Sequence, residues 1–295
     1  MLTDPPLTAT PPTTARQPER ALTAREAALR KPLPERVSWE ELGPEFFRAW
    51  GYPHEHWMPE HLAIYGPTGS GKSFFEKTIL MERARLRGSH IVLICTKKAD
   101  KTISSMGWPI VHTWPPSKGW SDRRKTEQVI FWAKGSLSRV DRDRQAAMID
   151  DLLSKLWTED ANIIVVFDEI AYVENELGLS THIDTYFREG RSQGITVVAS
   201  TQRPSNVSRF MHSETSWSVF FTPKDEDDAE RMAQVAGNKA YYTRVLQQLR
   251  RDQYEFLLVH NLTNEAYISS ITSSTLGKVS GVVREPDTRV DHSVQ

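Results

Sequence analysis

The stretch that decides the fold is a phosphate-binding pattern between two apolar segments. It reads Gly66-Pro67-Thr68-Gly69-Ser70-Gly71-Lys72-Ser73, a complete GxxxxGKS. It follows the apolar run 62–65 and precedes an amphipathic stretch beginning at Phe74, as this pattern requires. Glycines let successive backbone N–H groups point at phosphate oxygens, and the helix start adds its positive dipole end. The pattern predicts an ATP site, with Lys72 at the β- and γ-phosphates and the Ser73 hydroxyl on Mg²⁺.

Short apolar runs alternate with longer amphipathic stretches along most of the chain. The runs predicted as buried parallel strands are 62–65, 91–95, 162–167, 195–200 and 217–221. A helix is predicted over 141–157, and two further strands, 254–260 and 265–271, are joined by a polar turn. The alternation predicts an α/β fold with a mostly parallel sheet, helices on both faces and a C-terminal edge hairpin.

The composition divides the chain into four segments. Residues 1–20 are rich in Pro and Thr and are expected to be disordered. Residues 21–57 are expected to form an N-terminal helical extension, with capping boxes at Thr23–Glu26 and Ser38–Glu41. Residues 58–272 form the predicted nucleotide-binding domain, and 273–295 are expected to be a polar, flexible tail.

Charge and cysteine content exclude several classes of protein. There are 37 Lys and Arg against 38 Asp and Glu, a net charge of −1, which excludes a polybasic binder that relies on bulk positive charge. The single cysteine, Cys95, cannot form an internal disulfide or a CxxC zinc site. We find no apolar stretch long enough to span a membrane and no apolar signal-peptide core. We therefore expect a soluble, cytoplasmic protein.

A second motif indicates hydrolysis of the bound nucleotide. The run 162–167 ends in Asp168-Glu169, and acidic residues at the carboxyl end of a buried parallel strand face the ligand crevice. Asp168 is predicted to hold Mg²⁺, and Glu169 to polarise the attacking water. An ordinary acidic pair at a turn is the alternative, and the phosphate-binding pattern favours the catalytic interpretation.

Two downstream segments resemble those of a known family. Arg191-x-x-Gly194-Ile195 precedes the run 195–200, which leads into Thr201-Gln202-Arg203-Pro204-Ser205. In order and spacing, with the two motifs above, they resemble the HerA/FtsK superfamily of P-loop ATPases over roughly 58–272. The resemblance implies a RecA-like core, with Gln202 as γ-phosphate sensor and Arg191 as an arginine presented to the neighbouring subunit, Arg188 being the second candidate. The FtsK branch usually has Asp-Pro-Lys after its second strand, whereas this chain has Cys95-Thr96-Lys97-Lys98.

Within that superfamily, a viral genome-packaging ATPase is the best match. The 295 residues hold no predicted membrane span, N-terminal β-barrel or added DNA-reading domain. The resemblance implies double-stranded DNA as partner, a homo-oligomeric ring of five or six copies, a portal or capsid protein as further partner, and the host cytoplasm as location. The candidate DNA contacts are Lys97, Lys98, Lys118, Arg123, Arg124 and Lys125, which could equally belong to solvated loops.

Two other functions remain open from the sequence. A morphogenesis or secretion ATPase similar to the Zot group would move protein or assembling phage rather than duplex DNA. A slow nucleotide-dependent switch module would bind the nucleotide and exchange partners with little turnover.

Overall fold

One ten-stranded sheet organises the part of the chain that the structure describes. The computed structural model describes residues 23–51, 60–85, 90–116, 128–135 and 138–272. Its strands are β1 (Glu35–Arg36), β2 (Leu62–Tyr65), β3 (His90–Cys95), β4 (Ile110–Val111), β5 (Gln128–Trp132), β6 (Ile163–Phe167), β7 (Ile195–Thr201), β8 (Trp217–Phe221), β9 (Phe256–His260) and β10 (Glu265–Ser269). Their order is β1-β10-β9-β8-β2-β7-β6-β3-β5-β4. Strand β9 is antiparallel to both β8 and β10, and the other pairs are parallel.

Helices cover both faces of this sheet. They are α1 (Ala24–Arg30), α2 (Trp39–Gly51), α3 (Lys72–Arg85), α4 (Lys101–Ser104), α5 (Arg139–Leu156), α6 (Ser180–Glu189), α7 (Arg209–Ser213), α8 (Glu226–Val235) and α9 (Lys239–Leu246). Side chains of β2 alternate between two buried cores, because successive strand residues point to opposite faces. Leu62 and Ile64 join the core of α2 and α3, while Ala63 and Tyr65 join that of α5, α6, α8 and α9. The predicted α/β architecture is confirmed.

The individual strands agree closely with the prediction, with three additions. The five predicted parallel strands are β2, β3, β6, β7 and β8, and the predicted hairpin is β9 and β10. The additions are β1, β4 and β5, of which β1 extends the sheet beyond the hairpin by pairing with β10. Strand β9 begins at Phe256 rather than 254, because Tyr254 has the left-handed backbone φ of 52°.

Residues 23–51, the described part of the N-terminal segment, pack against the sheet and its helices. Both predicted capping interactions are present, since the Thr23 and Ser38 hydroxyls accept hydrogen bonds from the backbone N–H groups of Glu26 and Glu41. Trp39 is buried, and its ring centroid lies 5.9 Å from that of Phe75 on α3. Helix α2 thus shares the core of α3. No helix in the described ranges is both long and apolar enough to cross a lipid bilayer.

Candidate nucleotide-binding site

The strand order brings the predicted site residues to one edge of the sheet. Strand β7 lies between β2 and β6, and β3 lies on the far side of β6, all four being parallel. Their carboxyl ends therefore meet, and ligands of open α/β sheets bind in the crevice beyond such ends. A cavity of about 300 Å³ lies there. Its lining includes Thr68, Gly69, Gly71, Lys72, Ser73, Lys97, Asp168, Glu169 and Gln202.

The phosphate-binding loop depends on its glycines. Gly69 and Gly71 have φ values of +77° and +108°, which favour glycine strongly. A Cβ on Gly71 would also lie 3.2 Å from the rings of Phe221 and Tyr254. Helix α3 begins directly afterwards at Lys72, so its free N-terminal N–H groups are available to an anion. The loop thus has the predicted strand–loop–helix context.

Lys72 bonds to its own loop. Its Nζ donates to the Gly66 carbonyl at 2.5 Å and the Pro67 carbonyl at 3.0 Å. Burial lowers the pKa of Lys72 to about 8, although nearby carboxylates including Glu169 oppose that shift. An anionic phosphate would oppose it further, because an opposite charge favours the ammonium form. The Lys72 side chain is therefore placed for phosphate binding.

The Asp168 carboxylate forms an ion pair with a lysine that the sequence predicts as a DNA contact. Lys97, predicted as a DNA contact, lies inside this cavity, with its Nζ 2.6 Å from Asp168 Oδ2 and 3.0 Å from Asp100 Oδ2. Burial raises the pKa of Asp168, and the Lys97 ammonium opposes that shift. Asp100 supplies the carboxylate beside Lys97 that the Cys95-Thr96-Lys97-Lys98 turn lacks. These contacts place Lys97 with the nucleotide site rather than with the free basic residues.

Glu169 and Gln202 are held by two threonines. The Thr201 hydroxyl donates to Glu169 Oε1 at 3.2 Å, and the Thr68 hydroxyl donates to Gln202 Oε1 at 2.5 Å. Burial raises the pKa of Glu169, and the Thr201 hydrogen bond opposes that shift. A carboxylate with a raised pKa is better matched to accepting a proton near neutral pH. Both side chains therefore line the cavity beside the phosphate-binding loop.

The residues present fit a bound Mg²⁺. Mg²⁺ prefers oxygen ligands and usually takes one or two from the protein. The Ser73 hydroxyl and Asp168 carboxylate offer such oxygens on one cavity. The Ser70 hydroxyl oxygen, in the same loop, is buried with no hydrogen-bond partner among the described residues. Ser73 and Asp168, the two ligands that the sequence predicts, thus stay the candidates in this cavity.

The two candidate arginines lie away from this cavity. Arg191 is in the 3-10 turn Gly190–Gln193, just before β7, at the amino end of the sheet. The phosphate-binding loop lies at the opposite, carboxyl end of the sheet. The 4 residues of β2 alone span about 13 Å between the two ends, at about 3.3 Å per residue. The Arg191 Nε is buried with no hydrogen-bond partner among the described residues. Arg188 stacks over the Phe210 ring at 5.2 Å.

The remaining basic candidates differ in how far the structure describes them. Lys98 is exposed just after β3, and the exposed Lys101 begins α4 nearby. Lys118, Arg123, Arg124 and Lys125 lie outside the described residues.

Thr68 was predicted only as part of the phosphate-binding pattern, and Thr201, Asp100 and Tyr254 had no predicted role. Thr68 and Thr201 lie within the two recognised motifs, and a threonine hydroxyl can donate a hydrogen bond to a neighbouring side chain. Their position and chemistry together therefore indicated that they could hold other site residues. Asp100 could have been found from its spacing of three from Lys97, which suits an ion pair on a turn. Tyr254 gave no signal, because it follows the apolar pattern of the predicted strand 254–260.

Comparison with known proteins identifies the fold. No protein-family model and no curated protein matches the chain. The genome packaging NTPase B204 from Sulfolobus turreted icosahedral virus 2, in complex with sulfate, matches with a TM-score of 0.51 and 14% identity over 71% of this chain and 95% of that one. The complex of the same NTPase with AMPPCP matches with a TM-score of 0.50 and 16% identity over 71% of this chain and 96% of that one. B204, the DNA-packaging ATPase from Sulfolobus Turreted Icosahedral Virus, matches with a TM-score of 0.51 and 15% identity over 71% of this chain and 96% of that one. The chain therefore has an α/β P-loop NTPase fold similar to that of B204.

Proposed function

We propose that this chain is a Mg²⁺-dependent ATPase that translocates double-stranded DNA as a homo-oligomeric ring and packages a viral genome. The observation that carries the ATPase assignment is the convergence of Lys72, Asp168, Glu169 and Gln202 on one cavity of about 300 Å³. The fold similarity to the genome packaging NTPase B204, whose structure in complex with AMPPCP is known, supports the proposed role.

The chain's own residues account for hydrolysis of the terminal phosphate. Lys72 exchanges its bonds to the loop carbonyls for bonds to the β- and γ-phosphates. Ser73 and Asp168 would hold Mg²⁺, which neutralises phosphate charge when bound. Glu169 orients a water and takes its proton as the water oxygen bonds to the γ-phosphorus. The bond between that phosphorus and the β–γ bridging oxygen breaks, releasing ADP and phosphate.

Gln202 is proposed to report the state of the γ-phosphate. Its amide can donate to a phosphate oxygen while Thr68 holds its carbonyl oxygen. The loop that follows is tied to the segment after Glu169, since the Asn175 Nδ2 donates to the Asn206 carbonyl at 2.7 Å. The Ser208 N–H also donates to Glu174 Oε2 at 3.0 Å. Movement of Gln202 would therefore be transmitted to both segments.

Arg191 is proposed to act on the nucleotide of a neighbouring copy. It lies at the opposite end of the sheet from its own phosphate loop, so its guanidinium is better placed for another subunit. A guanidinium at the γ-phosphate stabilises charge that develops in the transition state, and such an arginine increases the rate by about 10³–10⁵. A ring of five or six copies would complete every site in this way.

DNA is proposed to contact exposed lysines near the nucleotide cavity. Lys98 and Lys101 lie beyond the carboxyl end of β3, the same edge as Lys72. Repeating them around a ring would concentrate positive charge despite the net charge of −1, and phosphate contacts of this kind do not read sequence. We further propose 58–272 as the ATPase domain, a portal or capsid protein as partner and the host cytoplasm as location.

Steady-state ATP hydrolysis with and without linear duplex DNA tests this proposal. We expect duplex DNA to stimulate turnover, and Glu169→Gln to reduce it by about 10²–10⁴-fold, the usual contribution of a general base. Glu159→Gln is the matched control, because Glu159 is an exposed glutamate in the turn before β6. Displacement of a third strand from a triplex is expected to report movement along the duplex, and mass photometry the ring.

Three results would replace the proposal. Turnover that is indifferent to duplex DNA but stimulated by protein or single strands would favour a secretion or morphogenesis ATPase. Negligible turnover with intact ATP binding, unchanged by Glu169→Gln, would favour a switch module. Stimulated turnover by a monomer would remove the ring.

A further inference from the structure

A second cavity opens directly beside the phosphate cavity. Its volume is about 470 Å³, within the roughly 300–1,000 Å³ of small-molecule pockets. It shares three lining residues with the phosphate cavity, namely Gly71, Phe74 and Tyr254. The cavity therefore lies next to any group attached to phosphates at Lys72.

The walls of this second cavity are aromatic. Its floor is formed by Phe75, Phe221 and Phe256, whose ring centroids lie 4.8–5.9 Å apart. Phe74 and Tyr254 stand at the rim and are 38% and 56% exposed. Together with the buried rings they form a contiguous apolar patch, and such patches mark ligand-binding grooves. Among the described residues, the polar side-chain groups on its wall are those of Thr272 and Tyr254.

Tyr254 is fixed in place by the backbone and by an ion-pair cluster. Its φ of 52° turns the chain sharply between the 3-10 turn Arg251–Gln253 and β9. The next residue, Glu255, is buried and accepts hydrogen bonds from the side chains of Arg250 at 2.7 Å and Arg36 at 3.1 Å. The ring thus lies against Gly71, where an added Cβ would come within 3.2 Å of it.

We propose that this aromatic pocket binds the base of the nucleotide, with Tyr254 and Phe74 against the flat faces of the base. The proposal rests on the proposed ATPase function and names the part of the site that takes the nucleoside. A planar, apolar-faced heteroaromatic ring is the chemical group that such walls suit. Because few polar groups line the pocket, recognition is by stacking, and the pocket tolerates different bases.

The test compares ATP with inorganic tripolyphosphate, which carries the phosphates and no base. Binding of each with Mg²⁺ is measured by calorimetry on the full chain. Tyr254→Ala is expected to weaken ATP binding by between about fivefold and 150-fold, which corresponds to the loss of one base–aromatic stack. Tripolyphosphate binding is expected to change less than about twofold, since the phosphate contacts of Lys72 remain.

Matched variants separate stacking from general disturbance. Tyr254→Phe keeps the ring face and is expected to lose less than about threefold in ATP affinity. Leu262→Ala removes another large exposed side chain, 65% exposed in the hairpin turn, and serves as the control. Phe74→Ala gives an independent route to the same loss. GTP is expected to bind wild type within about tenfold of ATP, because stacking tolerates any base.

Each alternative outcome has a distinct meaning. Equal weakening of ATP and tripolyphosphate by Tyr254→Ala would show that the ring supports the phosphate loop, and would overturn the base pocket. Unchanged ATP binding in both alanine variants would overturn it as well, and so would a preference for ATP over GTP of more than about 100-fold, which needs hydrogen-bonding groups. A wild-type protein that binds neither compound would instead refute the proposed ATPase function.

Discussion

A buried histidine makes the stability of this fold sensitive to acid. His61 immediately precedes β2, and its Nε2–H donates to the Phe187 carbonyl at 3.1 Å. Its Nδ1 accepts a hydrogen bond from the backbone N–H of Val197 at 3.0 Å. Protonation would place a hydrogen on Nδ1, facing the Val197 N–H. The neutral ring therefore joins the end of α6 to β7, around the segment that carries Arg191.

The size of the effect follows from the pKa of this ring. Burial lowers the pKa of His61 from 6.5 to about 3, and the nearby Arg191 charge adds to the shift. Because the folded-state pKa is depressed, the unfolded chain binds the proton more readily between pH 6.5 and pH 3. The stabilisation is therefore complete above pH 6.5 and is lost as pH falls. At about 1.4 kcal/mol per pH unit, the loss at pH 5.0 is about 2 kcal/mol.

Urea denaturation of wild type and His61→Gln at pH 7.5 and pH 5.0 measures the contribution of His61 to the free energy of unfolding. The stability of wild type relative to the variant is expected to fall by about 2 kcal/mol at pH 5.0. Wild type is compared with the variant because two buried glutamates also change stability with pH. Burial raises the pKa of Glu76 to about 8 and of Glu174 to about 7, so their contribution to the free energy of unfolding rises as pH falls, opposite to that of His61. His182→Gln, at a half-exposed histidine, is the control. A difference that does not change with pH, or an NMR spectrum in which His61 titrates near 6, would refute the reasoning.

Two further predictions concern the neighbour's arginine and α2. A mixture of Lys72→Ala and Arg191→Ala proteins is expected to recover hydrolysis that neither shows alone, because mixed interfaces unite an intact loop with an intact arginine. Hydrolysis assays with Arg209→Ala as control check this, and no recovery would contradict action between subunits. Trp39→Ala is expected to cost about 3–5 kcal/mol of unfolding free energy in urea, with exposed Leu33→Ala as control. A loss below about 1 kcal/mol would contradict the packing of α2 in the core, because such a value is typical of a surface substitution.

The parallel strands could be predicted because each is a local signal. A strand covered on both faces is a continuous apolar run, and 62–65, 162–167 and 195–200 need no tertiary information to be recognised. The two-residue strands β1 and β4 are too short to show any periodicity, and they exist only through their pairing with β10 and β5. A lone five-residue run such as β5 is ambiguous between strand and helix without its neighbours.

The positions of the candidate site residues could be predicted for the same local reason. Lys72, Asp168, Glu169 and Gln202 each follow directly on a strand or on its loop, and parallel strands carry such residues to a common edge.

Lys97 could not be placed from sequence, because a lysine after a strand suits a carboxylate and a DNA phosphate equally well. The register of β3 on β6, with Ile94 opposite Phe167, brings the Lys97 Nζ within 2.6 Å of Asp168 Oδ2. Its charge is then offset by Asp168 and Asp100, whereas Lys98 remains exposed. Of these two adjacent lysines, Lys98 is therefore the better candidate for the proposed contact with DNA.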